Sequence, residues 1–111
     1  MRIVAGKNRG TKLAAPENWN TRPTADRTRE SLFGVLQGGR LGDVLTDALV
    51  VDVFAGTGAL GLEALSRGAT EAVFIENDRE AVQALRENIA RLKVTDAAIV
   101  IEGDILSLHR T

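Results

Sequence analysis

The sequence predicts an α/β fold: a parallel sheet with helices packed against it, entered through a short β-hairpin and a helix. Three observations carry this. Apolar runs over 48–54, 72–75 and 97–101 have strand length. Segments with helical periodicity separate them. A strand–helix–strand–helix–strand order then requires right-handed crossovers and a layered sandwich.

Taken in order, Arg2 to Ala5 and Thr11 to Ala14 flank the Gly6-Lys-Asn-Arg-Gly10 connection, which predicts a hairpin. Residues 16–23 read as irregular between two prolines. Thr24 or Asp26 is placed to cap a helix reaching about Gln37, with Leu32, Phe33, Val35 and Leu36 available for its buried side. The run Gly38-Gly-Arg-Leu-Gly42 ends it. Ala48 to Phe54 is nearly continuous in apolar residues, as expected of a strand buried on both faces of a parallel sheet. A short helix over 58–67, a strand over 72–75 and a helix over 79–92 follow. In the last, Val82, Leu85, Ile89 and Leu92 recur on one face, and Glu87 and Arg91 are spaced as an i,i+4 pair. Residues 1–42 form a basic extension and 43–111 the sheet-bearing body.

Length and composition narrow the function. With 111 residues the chain makes one small unit with a modest core. No apolar stretch approaches membrane-spanning length, and the N-terminus lacks a secretory apolar region, so the expected setting is cytoplasmic. No cysteine is present and His109 is the single histidine, which argues against thiolate or histidine metal sites and against a Ser-His-Asp triad. The net charge of −1 hides a division. Residues 1–40 carry eight bases and three acids, whereas 41–111 carry six bases and twelve acids. A basic arm before an acidic body suggests a nucleic-acid contact; a solubilised N-terminus is the alternative.

The chemistry concentrates in Asp52-Val-Phe-Ala-Gly-Thr-Gly-Ala-Leu-Gly61. Gly56, Gly58 and Gly61 form G-x-G-x-x-G between a strand and a helix, where glycine permits a tight turn and close ligand approach to free N–H groups. Glu76, twenty residues beyond Gly56, ends the next strand, where a carboxylate can accept from ribose hydroxyls. Together these predict a Rossmann-like nucleoside-cofactor site. Asp52 bears on which cofactor: a carboxylate this close to the loop repels a pyrophosphate and attracts a cationic amine. S-adenosylmethionine carries an ammonium and a sulfonium and no phosphate. An Asp that merely caps the turn is the alternative.

The segment from Asp52 to Ala69 resembles the first motif of class I S-adenosylmethionine-dependent methyltransferases. More narrowly, Met1-Arg-Ile-Val-Ala-Gly6, Arg9-Gly10 and Arg22-Pro-Thr-Ala-Asp-Arg-Thr-Arg-Glu-Ser-Leu-Phe33 are similar to the opening of the bacterial RsmD family, which methylates N2 of a guanine in 16S ribosomal RNA. The resemblance runs from residue 1 to about 107. It implies a truncated class I methyltransferase sandwich with Asp52 near the methionine ammonium and Phe54, Gly56, Thr57 and Gly58 along the loop. Glu76 would bind the ribose, with Asn77 and Asp78 extending the acidic corner of the cofactor site, and Asp104 and Ile105 would hold the adenine. Arg9, Arg22, Arg27 and Arg29 would meet RNA, with Arg22, Thr24, Arg27 and Arg29 also within reach of the cofactor. For these arginines a solvated helix face is the alternative, and for Asp104 a solvated turn. The implied partner is 16S rRNA or the small ribosomal subunit, with no metal and no membrane.

One departure stands out. The family pattern has Asn or Asp followed by Pro-Pro and an aromatic, which receives the target amine and stacks the extruded base. Pro16 and Pro23 are the only prolines here, so no catalytic residue is assigned, and the sequence reads as the N-terminal part of such an enzyme. A dinucleotide-dependent oxidoreductase and a non-catalytic cofactor- or RNA-binding remnant are the alternatives.

Overall fold

A computed structural model of the chain describes residues 1–16, 23–39, 42–53 and 55–104. The elements are α1 (Pro23–Gly38), β1 (Leu49–Val53), α2 (Ala59–Ser66), β2 (Glu71–Glu76), α3 (Arg79–Leu92), a short 3₁₀ turn (Thr95–Ala97) and β3 (Ala98–Glu102). Proline at the first position of α1 suits a helix start, because its missing N–H has no intrahelical partner there. The side chains of Thr24 and Asp26 lie outside the described set. Asp78 caps α3 by accepting from the Glu80 N–H at 3.0 Å.

The three strands are parallel in the order β1-β2-β3. Leu49 to Val53 lie opposite Glu71 to Ile75, and Ala72 to Glu76 opposite Ala98 to Glu102. This register brings the carboxyl ends of all three strands to one edge of the sheet. Both crossover helices cover the face that carries Ala72 and Phe74, and Phe74, Leu62, Leu65 and Leu85 are almost fully buried between them. Ile3, Leu13 and Phe33 join the same cluster, so the N-terminal segment packs on the body through a shared core.

The structure corrects the expectation that β1 is buried on both faces. Leu49, Val51 and Val53 are 61%, 55% and 42% exposed, as is Ile99 on β3 at 51%. The physical reason is topological: right-handed crossovers place α2 and α3 on one side, and among the described residues the other side has no covering element. Two smaller differences follow from packing. The hairpin is reduced to a single bridge, Arg2 with Lys12, extended by the Ile3 N–H to the Thr11 carbonyl and the Leu13 N–H to the Met1 carbonyl. On α1, Phe33 is buried and Leu36 partly so, but Leu32 and Val35 face outward. No helix among the described residues is long and apolar enough to cross a membrane.

Candidate nucleoside-binding site

The glycine-rich loop leaves β1 through a hydrogen bond from the Ala55 N–H to the Ile75 carbonyl and turns with the Gly58 N–H on the Ala55 carbonyl at 2.9 Å. Its glycines do different work. Gly56 and Gly58 have φ of 57° and 90°, the left-handed region that side chains disfavour. A Cβ on Gly58 would also lie 2.3 Å from the Leu85 side chain, and one on Gly61 would lie 2.4 Å from the Phe74 ring. So the first glycine serves the turn, the third serves helix–sheet packing, and the second serves both. The loop runs directly into α2.

The carboxylate predicted from spacing reaches the loop. Glu76 Oε1 accepts from the Gly56 N–H at 2.7 Å and Oε2 from the Asp78 N–H at 2.9 Å, while the Glu76 carbonyl accepts from the Gly103 N–H. Glu76 is half-buried, and no cation stands within ion-pair distance of it among the described residues. Asn77, Asp78 and Asp104 are exposed on the same edge. This corner therefore combines a half-buried carboxylate that has no cationic partner among the described residues with several further negative charges. It suits a ligand that carries hydroxyls and positive charge and repels a polyphosphate.

Asp52 is buried, and its Oδ2 accepts from the Gly61 N–H at 3.2 Å. Burial pushes its carboxyl above the ordinary value; the Gly61 hydrogen bond opposes this, and the negative charge of Glu76 adds to it. It borders a cavity of about 170 Å³ between α1, β1 and α2, lined otherwise by apolar residues including Phe33, Leu36, Leu45 and Leu60. Phe54, Ile105 and Arg22 lie outside the described residues.

Of the arginines expected to meet RNA, Arg9 and Arg27 are exposed. Arg29 requires a correction. It is 4% exposed, its Nε lies 3.4 Å from Glu63 Oε1, and Nη2 donates to the Arg2 carbonyl. A guanidinium buried against a carboxylate is part of the scaffold and is not presented to a polyanion.

Two polar residues that the sequence reading did not single out hold the N-terminal segment to this site. Glu63 is fully buried in α2. Its carboxylate accepts from the Val4 and Ala5 N–H groups at 2.9 and 3.1 Å and pairs with Arg67 Nε at 2.8 Å, while Arg67 stacks over Phe33. Asn88, fully buried in α3, accepts from the Ala14 N–H at 2.6 Å and donates to the Ala14 and Thr57 carbonyls at 3.0 Å each. One side chain thus ties the end of the hairpin to the glycine loop. The sequence signals were an acid in the otherwise apolar Ala-Leu-Gly-Leu-Glu-Ala-Leu-Ser and an amide within the apolar stripe of α3.

Comparison with known proteins decides the family. The model of the family described as Conserved hypothetical protein 95 matches residues 1–111. The chain belongs to that family. Among its curated relatives, Ribosomal RNA small subunit methyltransferase D of Escherichia coli K12 is 49% identical over 100 residues, which is 90% of this chain and 48% of the relative. The protein of the same name from Haemophilus influenzae is 40% identical, covering 84% of this chain and 46% of the relative. The RsmD resemblance read from the N-terminal block and the glycine motif is therefore upheld. The solved structure of yhhF from Escherichia coli matches with a TM-score of 0.84 and 46% identity over 97% of this chain and 55% of that one. Pyrococcus horikoshii TYW2 in complex with MeSAdo matches with a TM-score of 0.64 and 30% identity over 78% of this chain and 30% of that one. The chain spans about half the length of the curated relatives it matches. Its α/β architecture is that of the Rossmann-like class I methyltransferase fold, over the part of it that this chain spans.

Proposed function

We propose that this chain is the methyl-donor half of an rRNA methyltransferase that binds S-adenosylmethionine and serves methylation of N2 of guanine 966 in 16S rRNA of the small ribosomal subunit, in the cytoplasm. The observation that carries the reading is the Glu76 carboxylate seated on the Gly56 N–H, in a chain similar to enzymes named for rRNA methylation. The residues present fit the donor chemically. Without side chains on Gly56 and Gly58 a ligand can approach the loop backbone closely, Glu76 can turn to ribose hydroxyls, and the acidic edge favours a cation over a pyrophosphate. Held by these residues, the donor would supply an electrophilic methyl group to an amine, with the sulfonium sulfur as the leaving group.

In this reading Gly56, Thr57 and Gly58 line the donor, Glu76 and Asn77 hold its ribose, and Asp104 receives the adenine amine. Asp52 supplies a carboxylate to the methionine end, and its ionisation is favoured again when an ammonium approaches. Phe54 and Ile105 complete the set by family resemblance. The 1–42 extension supplies RNA contacts through Arg9, Arg22 and Arg27, and 43–111 holds the donor. No residue of this chain is assigned to receive the target amine.

Calorimetry with S-adenosylhomocysteine and, separately, NADH tests the proposal. S-adenosylhomocysteine is expected to bind and to weaken in Asp52→Ala and Glu76→Ala. Binding of NADH alone would transfer the site to a dinucleotide. Binding of neither, by a chain folded by circular dichroism, would refute the donor reading for this chain.

A further inference from the structure

Acids gather at the carboxyl ends of the strands, whereas at the opposite end, where Asp47, Glu71 and Asp96 are also exposed, the hairpin adds a group of cations. Around the carboxyl ends of the strands lie Glu76, Asp78, Glu102 and Asp104. At the far end, the hairpin tip docks on the last turns of α2 and α3. The Lys7 N–H donates to the Ser66 carbonyl at 3.0 Å, Asn8 Nδ2 to the Leu92 carbonyl at 3.3 Å, and Arg91 Nη1 to the Lys12 carbonyl at 2.9 Å. These contacts gather Lys7, Arg9 and Lys12 from the hairpin beside Arg91 and Lys93 from α3, and all five are exposed. Arg91 pairs with Glu87 at 3.0 Å, whereas among the described residues no acid stands within ion-pair distance of Lys7, Arg9, Lys12 or Lys93. Cations at a helix C-terminus complement its dipole, which accounts for Arg91 and Lys93 but not for the three on the hairpin.

We infer that Lys7, Arg9, Lys12, Arg91 and Lys93 form a phosphate-backbone contact for folded RNA, remote from the glycine loop. The choice of RNA as the polyanion rests on the function proposed above. Two of the five cations come from the body, whose net charge is acidic, so only the docking of the hairpin reveals the patch. Along α3 the two ends are separated by roughly 21 Å, at 1.5 Å per residue. An RNA that meets both ends therefore bridges that span as a folded structure, with its phosphates held at the basic end and away from the acidic rim.

The test is fluorescence anisotropy of a labelled RNA stem–loop with the full chain, between about 50 and 200 mM salt. Lys7→Glu/Lys93→Glu is expected to weaken binding at least about tenfold and to flatten the slope of log K against log salt by about 1.4 to 1.8, the loss of two phosphate contacts. Arg79→Glu/Arg86→Glu makes the same change in net charge elsewhere and is expected to cost less than about threefold. The neutral pair Lys7→Ala/Lys93→Ala should shift affinity in the same direction by less. Equal loss in both charge-reversed pairs, or loss in neither, would overturn the patch, as would a wild-type chain that binds no RNA. S-adenosylhomocysteine calorimetry on the same samples separates the two proposals. Donor binding without a patch effect refutes only the patch, and patch-dependent RNA binding without donor binding refutes only the donor site.

Discussion

Glu63 and Glu76 perform the same local act in two regions of this molecule, and their surroundings give them opposite uses. Each carboxylate accepts from two backbone N–H groups: Val4 and Ala5 for Glu63, Gly56 and Asp78 for Glu76. Glu63 is fully buried between Arg29 and Arg67, so its charge is neutralised and its lone pairs are occupied. Glu76 is half-buried on an acidic edge with no cationic partner among the described residues. A sealed carboxylate holds chain segments together. An open one retains capacity for a ligand, and its hydrogen bond to Gly56 holds the loop in shape.

The largest expected effect lies on the sealed side. Glu63→Ala leaves two buried arginines without their carboxylate and two N–H groups without an acceptor, and should cost about 3–5 kcal/mol. A fall in the urea midpoint measures it, and a loss below about 1 kcal/mol would mean the pair is only a surface contact. Next is Asn88→Leu, which leaves the Ala14 N–H and the Ala14 and Thr57 carbonyls without the Asn88 amide. At about 1–3 kcal/mol for buried groups left unpaired, the expected loss is roughly 2–3 kcal/mol. Hydrogen exchange should show earlier opening of the hairpin than of β2.

The open side should respond differently. Glu76→Gln is expected to weaken S-adenosylhomocysteine binding about ten- to a hundredfold, as hydrogen bonds to a charged group are worth about 1.5–3 kcal/mol. Its unfolding midpoint should move far less than that of Glu63→Ala. Equal loss of stability in the two variants would erase the distinction between them.

The smallest effect is at Asp52. Its carboxyl is pushed up in the folded chain, chiefly by burial, so the native state holds its proton to higher pH than the unfolded state. Stability from this group is therefore greatest below the unfolded value near 3.8 and falls as pH rises through the folded value. Asp52→Asn should raise the melting temperature slightly at neutral pH, with the gain vanishing in acid. A gain that persists below the carboxylate range would assign the effect to packing.

The site and the scaffold were not equally visible in the sequence. The placing of Glu76 beside the glycine loop was readable because one strand–helix–strand unit fixes it, although its hydrogen bond to the Gly56 N–H was not. The helix returns the chain to the same edge, and the twenty-residue spacing is the length of that return. Glu63 and Asn88 escaped notice because their partners in the N-terminal segment, Val4, Ala5 and Ala14, lie 58 to 74 residues away and come close only when the hairpin docks. Arg29 was misread for the same reason: a cation on a helix looks solvated until the buried acid opposite it is known. The apolar β1 run was read correctly as a strand, but its pattern cannot tell which face a neighbour covers.

The most direct test of the open and sealed assignment is a backbone NMR titration of the full chain with S-adenosylhomocysteine. The amides of Gly56 and Gly103 should shift most as the ligand takes over the edge around Glu76, while those of Val4 and Ala5, locked on Glu63, should stay in place. Shifts at Val4 and Ala5 without any at Gly56 would contradict the account.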